Sequence, residues 1–238
     1  MISLADLRVR IFADGADRAG MLDLHARPYI SGLTTNPSLM RKAGIADYRD
    51  FARDILSAIT GKPVCFEVLA DDFAEMERQA LEIASWADNV YVKIPITNTR
   101  GESCRESARR LSRRGIKLNV TAIMTLAQLQ DVLPALSPAT PSYLSIFAGR
   151  IADTGIDPLP LMAEAVALAK NHPRTQLIWA SSRELLNILQ ADAVGCHIIT
   201  VPNDILGKLP LLGRDLTAYS RDTVRTLFED GRTAGFVL

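Results

Sequence analysis

The chain has 238 residues, 48% of them hydrophobic, with 27 basic and 27 acidic side chains and no formal net charge. That length and apolar content suffice for one large core. The even balance excludes both the basic surface of a typical nucleic-acid binder and a long charged tail.

Three cysteines, Cys65, Cys104 and Cys196, lie far apart and form neither a disulfide framework nor a zinc knuckle. His25, His172 and His197 are isolated, so no metal-ligand spacing is present and no metal or cofactor is expected. The N-terminal Met1-Ile2-Ser3-Leu4-Ala5-Asp6 lacks the basic region and apolar stretch of a signal peptide. No apolar run is long enough to span a bilayer. A cytoplasmic, reduced setting without membrane contact is the expectation.

In chain order, short β-branched runs alternate with helical periodicity. The strand candidates are Val9–Ala13, Ile30–Thr34, Val64–Leu69, Val90–Ile94, Lys117–Ile123, Tyr143–Ala148, Gln176–Ala180 and Ile198–Val201. Helical patterns fall at Asp72–Ala87, Glu102–Arg114, Leu126–Leu133, Leu159–Lys170 and Arg183–Ala191, where apolar residues recur every three or four positions. The basic run Arg105, Arg109, Arg110, Arg113 and Arg114 reads as a solvated helix face. Pro134, Pro138 and Pro141 mark a loop rather than a linker.

Strands alternating with helices in this number predict an α/β fold, a closed (β/α)8 TIM barrel, as a single domain over 1–238. An open doubly wound sheet is the competing reading, but no GxGxxG follows the first strand. Asp215–Ala234 is an extra C-terminal helix, placed to cover the barrel or to bind a neighbouring subunit.

The most informative segment is Asn89-Val90-Tyr91-Val92-Lys93-Ile94-Pro95, which sets one lysine in an apolar strand. A parallel strand of this composition is buried on both faces. An amine removed from water is less readily charged, and a neutral amine adds to carbonyls. Lys93 is therefore a Schiff-base candidate; the competing reading is a strand-end lysine reaching solvent.

Other polar residues fall late in their strands, where a barrel carries its active site. Asp14 closes the first strand and Thr34 the second, followed by Thr35 and Asn36. Glu67 sits late in the third, and Lys93 ends the fourth. Asn119 and Thr121 share a face of the fifth, and Ser145 and Phe147 a face of the sixth, with Arg150 beyond. Ser181 and Arg183 follow the seventh. A carboxylate inside a strand is costly unless paired. One shared site therefore explains Asp14, Glu67, Lys93 and Thr121 better than separate accidents. A structural polar network plugging the barrel is the alternative.

The motifs Gly32-Leu33-Thr34-Thr35-Asn36-Pro37-Ser38-Leu39, Val92-Lys93-Ile94-Pro95, Asn119-Val120-Thr121, Ser145-Ile146-Phe147-Ala148-Gly149-Arg150 and Ala180-Ser181-Ser182-Arg183 come in an order that resembles the transaldolase family, including its short fructose-6-phosphate-aldolase-like members. The resemblance spans nearly the whole chain. It implies class I, metal-free chemistry on a (β/α)8 barrel, with Lys93 as the Schiff-base residue. It implies Asp14 as the acid/base at the C4 hydroxyl, and Glu67 and Thr121 as holders of the water used in proton transfer. Thr34, Asn36, Asn119 and Ser145 match contacts to substrate hydroxyls and the carbinolamine; Arg150, Ser181 and Arg183 match a phosphate site. Phosphorylated ketose and aldose substrates follow, as does a homo-oligomer (dimer, pentamer or decamer).

By the same resemblance, Glu67 and Phe147 are transaldolase-like, where aldolase-type members carry Gln and Tyr. Phe147 offers no hydroxyl to position water that protonates the enamine. Transfer of a dihydroxyacetone unit from fructose 6-phosphate or sedoheptulose 7-phosphate to an aldose phosphate is the leading expectation, in the pentose phosphate route or a specialised sugar pathway. A fructose-6-phosphate aldolase releasing free dihydroxyacetone, and a non-catalytic phosphosugar-binding protein, are the alternatives. The chain has the length of the short subgroup. It departs from the family at Gly15, where many members have Thr or Ser, and at Ser182, where an aromatic is usual. The second change could reshape the phosphate end or enlarge the pocket.

Overall fold

The computed structural model describes residues 4–237. Met1, Ile2 and Ser3, part of the segment read above as lacking a leader, lie outside the described residues, as does Leu238. Eight parallel strands close into a barrel in sequence order. They are β1 (Arg10–Asp14), β2 (Ile30–Thr34), β3 (Val64–Glu67), β4 (Val90–Pro95), β5 (Leu118–Ile123), β6 (Ser142–Ile146), β7 (Thr175–Trp179) and β8 (Ile198–Pro202). Around them run α1 (Arg18–Ala26), α2 (Pro37–Lys42), α3 (Tyr48–Ala58), α4 (Phe73–Ala84), α5 (Arg105–Arg113) and α6 (Leu126–Val132). The second half adds α7 (Ala148–Asp153), α8 (Leu159–Ala169), α9 (Leu186–Ala193), α10 (Asn203–Leu206) and α11 (Leu216–Thr233).

Local chemistry sets the helix starts. The side chains of Asp17, Asn36, Asp47, Asp72, Thr125 and Asp215 each accept a hydrogen bond from the backbone N–H three residues on. Such a cap is worth about 1 kcal/mol. At α2, Pro37 follows the cap and presets the helical φ.

Alternation along the strands sorts the apolar residues into two cores. Leu33, Phe66, Val92, Val120, Leu144, Leu177 and Ile199 belong to the large core with the helix residues. Phe12, Cys65, Tyr91, Tyr143, Ile178 and Ile198 form a second cluster that fills the barrel. There the Tyr91 and Tyr143 rings stack with centroids 4.0 Å apart, and Phe12 meets Tyr143 edge-on at 5.7 Å. Gly32 lies against Phe12: a Cβ at that position would come within 2.5 Å of the ring. This filled interior is a floor, and the cavity inside the barrel opens above it, at the C-terminal ends of the strands.

Three expectations shift. β6 ends at Ile146, and Phe147 is the N-cap of α7, so Phe147 does not share a strand face with Ser145. The chain turns there at φ −81°, ψ 59°, with the Phe147 N–H donating to the Ile123 carbonyl. Lys93 is not the end of β4, which runs on to Pro95. Helix α9 begins at Leu186, and the Arg183 N–H instead donates to the Asn187 side chain. The extra helix forms as expected, but no residue of α11 is buried, so it does not pack as a lid on the barrel.

Candidate active site

All the residues singled out as site candidates line one cavity of about 550 Å³ at the C-terminal mouth of the barrel. Strand register creates the centre. Lys93 pairs in register with Glu67 on β3 and with Asn119 on β5, and Asp14 pairs with Thr34 on β2. Lys93 is 7% exposed. Its Nζ lies 3.3 Å from Glu67 Oε2 and donates to the Thr35 carbonyl at 3.0 Å.

Asp14 faces the same space, and Thr34 Oγ1 donates to its Oδ1 at 2.9 Å. Burial raises the Asp14 carboxyl above its ordinary range. The positive charge of Lys93 and the Thr34 hydrogen bond pull it back in part, and Glu67 adds to the rise. Such a group holds a proton more readily than a surface aspartate, as suits an acid/base.

On the β5–β6 side, Ser145 Oγ donates to Asn119 Oδ1 at 2.7 Å, and Asn119 Nδ2 donates to Cys65 Sγ at 3.6 Å. Burial pushes the Cys65 thiol up to about 11, so it stays neutral at physiological pH. Thr121 Oγ1 is buried without a protein partner. An unpaired buried hydroxyl is expensive, and here it lies at the cavity wall, where a ligand or water can meet it. Next to it β5 bulges: Val120 pairs with Leu144 and the following pair is Ile123 with Ile146. Ala122 takes up the extra length at φ 63°, and both Thr121 and Ala122 line the cavity.

Helix α7, after β6, and the loop after β7 supply cations. The Arg150 guanidinium lies over the Phe147 ring, 5.1 Å from its centroid. Arg183 is held by an ion pair to Asp153. Ser181 sits between them in sequence at φ 60°, a left-handed conformation that costs an ordinary residue free energy and often marks a functional turn. Beside it, Gly149 leaves no room for a side chain: a Cβ would stand 1.6 Å from the Ser181 carbonyl oxygen. Asn36 also lines the cavity, but its amide oxygen caps α2 by accepting from the Leu39 N–H. Its amide N–H group is the part left for a ligand.

Ser182, expected to reshape the phosphate end, is not at the cavity wall. It is buried and its hydroxyl donates to the Thr200 carbonyl at 2.8 Å. Two polar lining residues escaped the sequence reading, Lys42 and Thr200. Thr200 lies two residues from the end of its strand, the phase already used for Lys93 and Thr121, so that signal was available. Lys42 ends a short helix and carried none. Among the described residues, no group of three or more His, Cys, Asp or Glu is placed to hold a metal ion.

Similar proteins agree with this architecture. The family model described as transaldolase/fructose-6-phosphate aldolase matches residues 11–236. A protein of Dehalococcoides mccartyi named "Probable transaldolase" is 36% identical over 90% of this chain and 97% of its own length. One of the same name from Thermoanaerobacter is 35% identical over 90% of this chain and 96% of its own. Among solved structures, KGPDC from Streptococcus mutans superposes with a TM-score of 0.56 at 10% identity, covering 83% of this chain and 89% of that one. At that identity the likeness concerns the fold alone. The match over nearly the whole length, with relatives above a third identical, places the chain in the transaldolase/fructose-6-phosphate aldolase family.

Proposed function

We propose that the chain is a transaldolase that moves a dihydroxyacetone unit from a phosphoketose to a phosphoaldose through an imine on Lys93. The Lys93 amine adds to the C2 carbonyl, and loss of water leaves an iminium. The iminium is an electron sink. Asp14 takes the proton of the C4 hydroxyl, the C3–C4 bond breaks, and its electron pair flows into the iminium to give an enamine. The C4 fragment leaves as an aldose phosphate. The enamine then attacks an acceptor aldehyde, Asp14 returns the proton to the new hydroxyl, and water releases the product from Lys93.

Glu67 and Thr121 hold the water that enters and leaves at the imine. Thr34, Asn36, Asn119 and Ser145 contact hydroxyls of the sugar and the carbinolamine. Arg150, Ser181 and Arg183 receive the phosphate, since guanidinium forks match its oxygens.

The observation that carries this reading is the close set of Lys93, Glu67 and Asp14 in a mouth whose far wall holds Arg150 and Arg183. Mass spectrometry after borohydride reduction with a panel of phosphoketoses tests it. A single adduct on Lys93, absent in Lys93→Ala, is expected; trapping retained in that variant refutes the assignment. Turnover of fructose 6-phosphate should require an acceptor aldehyde, because Phe147 brings no hydroxyl to the cavity. Acceptor-free turnover at a similar rate indicates an aldolase instead. Activity should survive chelation by EDTA.

Assembly belongs to the same reading. Helix α11 carries exposed Leu216, Leu227 and Phe228, at 79%, 67% and 66%. Contact with another copy removes such a surface from water. Size-exclusion chromatography with light scattering should report a homo-oligomer, and a monomer at micromolar concentration rejects it. Among the described residues, no helix is long and apolar enough to cross a membrane.

A further inference from the structure

Glu67 is the last residue of its strand, and its backbone has lost one neighbour. On the β4 side the ladder is complete: Glu67 pairs with Lys93, and the Val68 N–H donates to the Lys93 carbonyl. On the β2 side the pairing stops at Thr34 with Cys65, and Thr35 N–H gives a final bond to the Cys65 carbonyl. Beyond that point β2 has turned into α2. In a parallel strand the N–H and C=O of one residue face the same neighbour, so both groups of Glu67 point to the missing ladder.

One side-chain atom fills the gap. The Tyr48 hydroxyl, from the first turn of α3, accepts from the Glu67 N–H at 2.7 Å and donates to the Glu67 carbonyl at 2.7 Å. Burial raises the phenol above its ordinary value, so it remains a donor across the physiological range. The ring is itself fixed. It meets Phe66 edge-on at 6.2 Å and Trp86 at 6.0 Å, and Phe66 and Trp86 meet at 5.8 Å.

Glu67 needs such an anchor because it has space on two sides. It lines the barrel mouth, and it also lines a separate cleft of about 350 Å³ shared with Tyr48, Leu69 and Trp86. A strand end bordered by two cavities, with no strand beside it on the β2 side, has less to hold its side chain at 3.3 Å from Lys93 Nζ.

We infer that Tyr48 is a positioning residue for the reaction: its hydroxyl replaces the missing strand and holds Glu67 in register with Lys93. This rests on the reading of Glu67 as the group that handles water at the imine. Tyr48 touches no substrate; it acts through Glu67.

Tyr48→Phe keeps the aromatic cluster and deletes both hydrogen bonds. Rates are normalised to active sites counted by borohydride trapping, so misfolded protein does not enter. A displacement of a reacting group by about 1 Å costs up to roughly 100-fold, and the expected loss in kcat is about 10-fold, with KM changed less than about twofold. In a Glu67→Gln background the same substitution should cost less than about twofold, since the two residues act as one unit. Full kcat in Tyr48→Phe, with Glu67→Gln strongly impaired, overturns the role of Tyr48 alone. A 10-fold loss that persists in the Glu67→Gln background also overturns it. A Glu67→Gln enzyme with wild-type rates instead removes the reading of Glu67, and the role of Tyr48 with it.

Discussion

Replacing Thr34 by valine removes one hydrogen bond and almost preserves side-chain shape. In the wild-type chain, Thr34 Oγ1 donates to Asp14 Oδ1 at 2.9 Å, and Thr34 is only 3% exposed, so water cannot easily take over the bond from that side. The bond favours the ionised carboxylate against the burial that opposes it. A hydrogen bond to a charged group is worth about 1.5–3 kcal/mol. Its loss falls mainly on the charged form, which lowers the ionised fraction at a given acidic pH by roughly 10- to 100-fold. The base that takes the C4 proton must be ionised, so the acid limb of kcat/KM should move to higher pH in Thr34→Val. Thr34→Ser should restore it. The assay is the pH profile of ketose cleavage with an acceptor in excess, run beside borohydride trapping to show that Lys93 still forms the imine. An acid limb that stays in place, or moves to lower pH, refutes the account of Asp14.

Three further outcomes follow from the same geometry. Because burial raises the Asp14 carboxyl, the folded chain holds its proton to higher pH than the unfolded chain; its contribution to stability is full below the ordinary value of 3.8 and is lost as pH rises through the folded value. Asp14→Asn should therefore melt higher than wild type at neutral pH, with the gap closing below about pH 4, while turnover collapses; a lower melting temperature at pH 7 contradicts the linkage. Thr121→Val should leave stability unchanged or raise it by up to about 1 kcal/mol, since the buried hydroxyl has no protein partner, and should lower kcat about 10- to 100-fold; denaturant melts and steady-state rates read the two effects separately. Arg150→Ala should raise KM for phosphorylated donors about 10-fold or more and leave unphosphorylated analogues unaffected, as expected for loss of one charge-assisted contact.

The barrel was readable because its strands are short, apolar and bounded by turn residues; β2 has its predicted limits and the others shift by a residue or two. That the candidate residues gather at one mouth was readable because polar side chains inside such strands need a common reason to be there. What escaped depended on backbone geometry that side chains do not encode. Phe147 continues an apolar run in Ser145-Ile146-Phe147-Ala148, and nothing in those letters marks the point where the chain leaves the sheet for α7. Ala122 and Ser181 adopt positive φ without the glycine that normally signals it. Tyr48 carries no signal in the sequence; its hydroxyl matters only because the β2–β3 ladder stops short, a fact of three-dimensional register.

Gly149 ties together two segments that the chain keeps more than thirty residues apart. Because its bare Cα accepts the Ser181 carbonyl at a separation no side chain tolerates, the arms bearing Arg150 and Arg183 interlock like a tongue in a slot. Libraries that diversify either arm to retune sugar preference should therefore hold position 149 constant and vary both arms jointly, since drift in one dislodges its mate.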